Sequence, residues 1–213
     1  MSKTVYIVRH GETDYNRMGI VQGSGVDTSL NDTGRLQAQA FYQHYQQTGF
    51  EVVLTSTLRR THETMSPFIE QGLPWEQYSE INEICWGEHE GKKSSPEMHL
   101  QYKEMIEAWE AGQLDAKLKG AESAADLQAR LSAFVEALSR RPEERILVCS
   151  HGRAMRALMC LLRNQSLQLM NTYKHANTGL YKAAYEQDTY RFLLQNDTSH
   201  LSQLDLKIGE WKS

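Results

Sequence analysis

The sequence is poor in cysteine, and the three it has, Cys85, Cys149 and Cys160, form an odd set with no Cys-x-x-Cys spacing. That excludes a disulfide-stapled secreted scaffold and a thiol-based metal or redox motif, and it fits reduced thiols in a core. Long hydrophobic runs are also missing. No uninterrupted apolar stretch approaches the roughly 20 residues that span a bilayer. The apolar run after Lys3 is too short for a signal-peptide core, so a cytoplasmic protein without membrane contact is expected. Excess positive charge is the third absence: 23 Lys and Arg against 27 Asp and Glu leave a formal net charge of -4. A nucleic-acid partner is therefore not expected, and any anion site must be local.

What is present is the composition of a globular enzyme. A chain of 213 residues, 40% hydrophobic, can bury a full core, and one domain over 1–213 is expected, with at most a cap. Two stretches share one grammar. Val5-Tyr6-Ile7-Val8 runs straight into Arg9-His10-Gly11, and Arg145-Ile146-Leu147-Val148-Cys149-Ser150 runs into His151-Gly152, which opens a helical pattern. Apolar runs of this kind fit parallel strands buried on both faces, whose C-terminal ends carry functional groups into the crevice above the sheet. An isolated Arg-His-Gly is commonplace at a strand end. Two strand-end histidines are a stronger signal, because neighbouring parallel strands bring residues distant in sequence to one ligand. Arginine offers a permanent forked charge suited to phosphate, histidine a base or nucleophile, and glycine a close backbone approach.

Between these stretches the pattern alternates strands and helices. Asn31 caps a predicted helix to about Gln47, with Leu36, Ala40, Phe41 and Tyr45 as its apolar face. Glu51 to Thr55 reads as a strand, followed by a helix to about Ile69, and residues 74–80 as a short edge strand. Residues 92–122 differ in character, being rich in Lys, Glu, Met and Tyr around Trp109, with Ser95-Pro96 as a helix start, and they read as a cap over a pocket. Ser123-x-x-Asp126 opens a helix to about Arg140 with Leu127, Leu131, Phe134, Val135 and Leu138 as core. Beyond the helix after His151, residues 178–185 and 189–194 read as strands around a turn at 186–188, and the tail from 196 as loosely ordered. The architecture expected is α/β: a three-layer sandwich with a mostly parallel central sheet, helices on both faces and a small helical cap insertion.

Across most of its length the chain resembles the histidine phosphatase superfamily, also called phosphoglycerate-mutase-like. The signature is Arg9-His10-Gly11, followed by Asn16-Arg17-Met18-Gly19-Ile20-Val21-Gln22-Gly23 and by Asp27 to Gly34, where Ser29 replaces a common proline. Ser56-Thr57-Leu58-Arg59-Arg60 resembles the Ser-x-Leu-x-Arg segment, with Thr61 in place of the usual alanine, and implies a second phosphate-binding arginine at Arg60. Ile81-Asn82-Glu83 with Gly87-Glu88-His89-Glu90-Gly91 resembles the segment carrying the catalytic acid, which falls at Glu83, and His151-Gly152 completes the set. The shared order and spacing carry the resemblance more than any one motif.

The resemblance implies a metal-independent phosphatase of small phosphomonoesters working through a phosphohistidine, with no cofactor. A neutral imidazole suits attack on a dianion that repels anionic nucleophiles, and His10 takes that role. Arg9, Arg60, His151 and the Gly152 region would clamp the phosphoryl group, with Asn16, Gln22 and Gly23 adding neutral donors. Glu83 would protonate the leaving oxygen and then deprotonate water, with Ile84 and Trp86 as an apolar wall keeping it protonated at neutral pH. Two other readings stand beside this one. A cofactor-dependent phosphoglycerate mutase would need more fixed positive charge in the cap, where residues 92–122 hold no arginine. A non-catalytic phospholigand-binding module would be expected to lack one of His10, Arg60, Glu83 or His151. A metal site at the two histidines lacks carboxylates at ligand spacing, Glu12 aside. The expected partner is a small phosphorylated metabolite, and a homo-oligomer stays open.

Overall fold

A computed structural model describes residues 3–202 and 204. Six strands form one mixed sheet: β1 (Lys3–Arg9), β2 (Val52–Thr55), β3 (Trp75–Gln77), β4 (Arg145–Ser150), β5 (Leu180–Glu186) and β6 (Thr189–Asp197), in the order β3-β2-β4-β1-β5-β6. The first four in that order run parallel, and β5 and β6 add an antiparallel edge. Successive side chains of a strand point to opposite faces, so each apolar run feeds two cores. Val5, Ile7, Ile146 and Val148 join one buried cluster with α5 (Ala124–Arg140) and α6 (Gly152–Leu162). Tyr6, Val8, Leu147 and Cys149 join the other with α2 (Asp32–Tyr45) and α3 (Arg59–Ile69). The three-layer α/β architecture follows from burial on both faces.

Local signals place most elements. Ser123 Oγ accepts from Asp126 N and Asp126 accepts back from Ser123 N, a capping box that starts α5. Ser95 caps α4 (Pro96–Glu110), whose Trp109 is 1% exposed and donates to Ala116 O at 2.7 Å. Among the described residues no helix is long and apolar enough to cross a membrane.

Two expectations fail. Leu36 is 52% exposed, because the core stripe of α2 runs through Gly34, Ala38, Phe41 and Tyr45, at i, i+4, i+7 and i+11, and Leu36 projects away from it. Nor is the chain loose from residue 196. β6 continues to Asp197, which accepts from Tyr45 OH at 3.1 Å, and the turn Ser199–Leu201 buries His200 edge-on to Phe41, ring centroids 5.2 Å apart. The remainder of the tail, residues 203 and 205–213, lies outside the described residues.

Candidate active site

Parallel pairing of β1 with β4 sets Arg9 opposite Ser150, so the next residues, His10 and His151, emerge side by side with ring centroids 5.1 Å apart. His10 is 3% exposed, and its Nδ1 lies 2.7 Å from Gly11 O. A carbonyl only accepts, so Nδ1 carries the proton and Nε2 keeps its lone pair. Burial, reinforced by Arg60 and Arg9, pushes the His10 pKa well below its usual value, so the ring is neutral. The turn that aims it needs glycine: a Cβ on Gly11 would lie 2.7 Å from Gly34 O.

Arg60, in the first turn of α3, is fully buried. Its Nε donates to His151 Nδ1 at 3.1 Å, Nη1 to Val26 O at 2.7 Å and Nη2 to Gly23 O at 3.3 Å. Because the guanidinium cannot accept, the His151 proton must sit on Nε2, from which it is donated to Ser56 Oγ at 2.7 Å. His151 is thus neutral and doubly tied, its pKa pushed well down by burial and then by Arg60. Arg9 donates to His175 O at 3.4 Å, and burial lowers its pKa only to about 10, so it remains a cation.

Glu83 is 7% exposed at the N-terminus of α6. Oε1 accepts from the backbone N–H groups of Ile84 at 3.0 Å, Arg153 at 3.1 Å and Ala154 at 2.9 Å, and Oε2 from Arg153 at 3.0 Å. Backbone amides meet both oxygens of the carboxylate, and Trp86 lines the same cavity. Part of the positive end of α6, the Arg153 and Ala154 N–H groups, is thereby spent on a side chain of the protein itself.

These groups border one cavity of about 400 Å³ lined by Arg9, His10, Asn16, Gln22, Arg60, Glu83 and Gly152 among others, with Met98, His99 and Tyr102 of α4 closing it from above. Gly23 and His151 do not line it. Gly23 acts through its carbonyl on Arg60, and a Cβ there would meet Glu90 Oε1 at 1.8 Å. His151 stands behind His10 and reaches the cavity through Arg60. Asn16 Oδ1 accepts from Thr13 N and Asn177 Nδ2, while both ends of the Gln22 amide are taken by Thr13 and Thr28.

Among the lining residues that sequence reasoning missed are Arg153, Arg156 and His175. Helical spacing could have found the arginines, since both lie on the first turns of α6 after Gly152. His175, in the loop before β5, had no sequence signal. Arg153 reaches towards α4, donating to Asn171 Oδ1 at 2.6 Å and to Tyr102 OH, with the Trp86, Tyr102 and Trp109 rings each within 5.9 Å.

So much buried guanidinium charge around a small cavity, beside a neutral imidazole and a carboxylate, defines an α/β enzyme that handles phosphate. Residues 5–198 match the histidine phosphatase superfamily (branch 1), and the chain belongs to that family. It is 28% identical over 199 residues to phosphoserine phosphatase 1 of Hydrogenobacter thermophilus, covering 92% of this chain and 93% of that one. It is 33% identical over 154 residues to the fructose-2,6-bisphosphatase TIGAR B of Danio rerio, covering 70% of this chain and 56% of that one. Among solved structures, YhfR of Bacillus stearothermophilus superposes with a TM-score of 0.80 at 26% identity, covering 93% of this chain and 99% of that one.

Proposed function

We propose that the protein hydrolyses small phosphomonoesters through a phosphohistidine on His10, without a metal or other cofactor. The observation that carries this is the His10 tautomer: the 2.7 Å bond from Nδ1 to Gly11 O leaves the Nε2 lone pair as a neutral nucleophile at the cavity. Arg9 and the N–H groups of Arg60 left over from its three protein bonds take phosphoryl oxygens, as do the Gly152 region and the Asn16 Nδ2, whose own Oδ1 is occupied. His151, Gln22 and Gly23 hold Arg60 and the loop in place rather than touching phosphate. Glu83 protonates the departing oxygen, then takes a proton from the water that attacks the phosphohistidine. Phosphatase-named relatives support the reading, as does one sheet with two contiguous cores for a single domain whose residues 92–122 form a cap over the substrate. The three free cysteines fit a reducing cytoplasm.

The mutase alternative keeps one specific observation. Arg153 and Arg156 bring to the cavity the forked charge that residues 92–122 lack. One experiment tests both readings. Wild-type protein mixed with a panel of phosphorylated sugars, acids and nucleotides should form an acid-labile, alkali-stable phosphoenzyme and release inorganic phosphate. His10→Ala should do neither, and substantial residual turnover would sink the assignment. Supplied with 3-phosphoglycerate and 2,3-bisphosphoglycerate, the protein should form 2-phosphoglycerate far more slowly than it releases phosphate from its best ester; the reverse would establish the mutase.

A further inference from the structure

His175 lines the cavity at 9% exposure, and the reaction above leaves its ring without a role. Its carbonyl accepts from Arg9, which holds the loop against the end of β1. Among the described residues, Nδ1 is buried with no hydrogen-bond partner. Nε2 borders the space that Gly152 leaves by having no side chain. A Cβ on Gly152 would lie 3.2 Å from Glu83 Oε2, 3.5 Å from His175 Nε2 and 3.9 Å from Arg9 Nε. The less heavily bonded oxygen of the carboxylate and the imidazole therefore converge, from different elements, on one point at the cavity wall.

The tautomer follows from this placement. Burial, then Arg9, Arg156 and Arg153, push the His175 pKa well below its usual value, so the ring is neutral and has a single N–H. On Nδ1 that proton would be a buried donor without an acceptor, which costs about 1–3 kcal/mol. On Nε2 it faces the cavity, where a substrate oxygen or a water can accept it. A neutral donor fits here because a further cation beside Arg9, Arg153 and Arg156 would be repelled.

We propose that the Nε2–H of His175 is a second hydrogen-bond donor to the oxygen that Glu83 serves. This rests on the phosphohistidine reading of His10. In the first step the ester P–O bond breaks as the bond from phosphorus to His10 Nε2 forms. The departing oxygen keeps the electron pair and takes the Glu83 proton, while the His175 N–H stabilises the charge as it develops. In the second step a water occupies the same place, its lone pair held by the His175 N–H. Its oxygen bonds phosphorus, the N–P bond breaks and its proton passes to the Glu83 carboxylate. His175 keeps its own proton throughout.

The test is rapid-quench measurement of phosphoenzyme formation and decay in His175→Ala, His175→Asn and His175→Leu, with circular dichroism melting as the check on folding. Loss of one preorganised donor should slow both steps by about 10²-fold in the alanine variant. Formation should slow more with an alkyl ester than with p-nitrophenyl phosphate, KM should be near wild type, and Asn, which keeps an uncharged N–H donor, should recover part of the rate. If the alanine variant does not fold, Asn against Leu makes the same comparison. A wild type that forms phosphohistidine while His175→Ala leaves both rates unchanged, changes only KM, or slows both esters equally, overturns the His175 assignment alone. A wild type that never forms phosphohistidine overturns the His10 reading and this one with it.

Discussion

Replacing Glu83 with Gln removes a proton and a charge while nearly keeping shape, and the hydrogen bonds around the carboxylate set what should follow. Oε1 accepts from three backbone N–H groups and Oε2 from one. The Gln oxygen will therefore hold the Oε1 position and turn its NH2 towards the Arg153 N–H, donor against donor. Losing that charge-assisted contact should cost about 1.5–3 kcal/mol of stability. The catalytic loss should be larger for a poor leaving group. A general acid contributes about 10²–10⁴-fold, or about 2.7–5.4 kcal/mol of barrier, to expulsion of an alkoxide, and little to expulsion of p-nitrophenolate. Single-turnover rapid quench should show phosphoenzyme formation from an alkyl phosphate falling by that factor, and from p-nitrophenyl phosphate by no more than about tenfold. Formation must be followed directly, since on the proposed mechanism decay of the phosphoenzyme would also use the carboxylate as base. Equal losses on the two esters would refute the acid role and leave Glu83 as an anchor for the start of α6.

The buried histidines set a second expectation. Burial holds His10, His151 and His175 well below the usual imidazole pKa and His200 at about 4. Each binds a proton more weakly folded than unfolded, so stability is full above about pH 6.5 and is lost as the pH falls, the His200 share down to about pH 4. A urea midpoint that does not drop between about pH 7 and about pH 5 would contradict this. Ser123 does not line the cavity, and Ser123→Ala, which breaks the capping box of α5, should cost about 0.5–2 kcal/mol in thermal stability with kinetics unchanged. An unchanged melting temperature would refute the cap's contribution.

The apolar runs before His10 and His151 were legible as strands buried on both faces, and the structure pairs them side by side in parallel. Capping at Ser95 and Ser123 was equally legible, being chemistry between residues three apart. The motif order singled out Arg9, His10, Asn16, Gln22, Gly23, Arg60, Glu83, His151 and Gly152 as candidates. It could not say which of them reach the cavity. His151 and Gly23 lie one layer back, since whether a side chain meets ligand or another side chain depends on how separate elements dock. Only the tertiary structure decided that backbone amides of α6 hold Glu83, that Arg153 meets Tyr102 of α4, and that His175 and Glu83 converge beside Gly152. Each of these contacts joins segments with no periodic relation in sequence. Helix and strand patterns report which way a residue faces relative to its near neighbours; a cavity lined from several loops and helices is set by the packing of the sheet and its two helical layers, and that packing leaves no local trace in the chain.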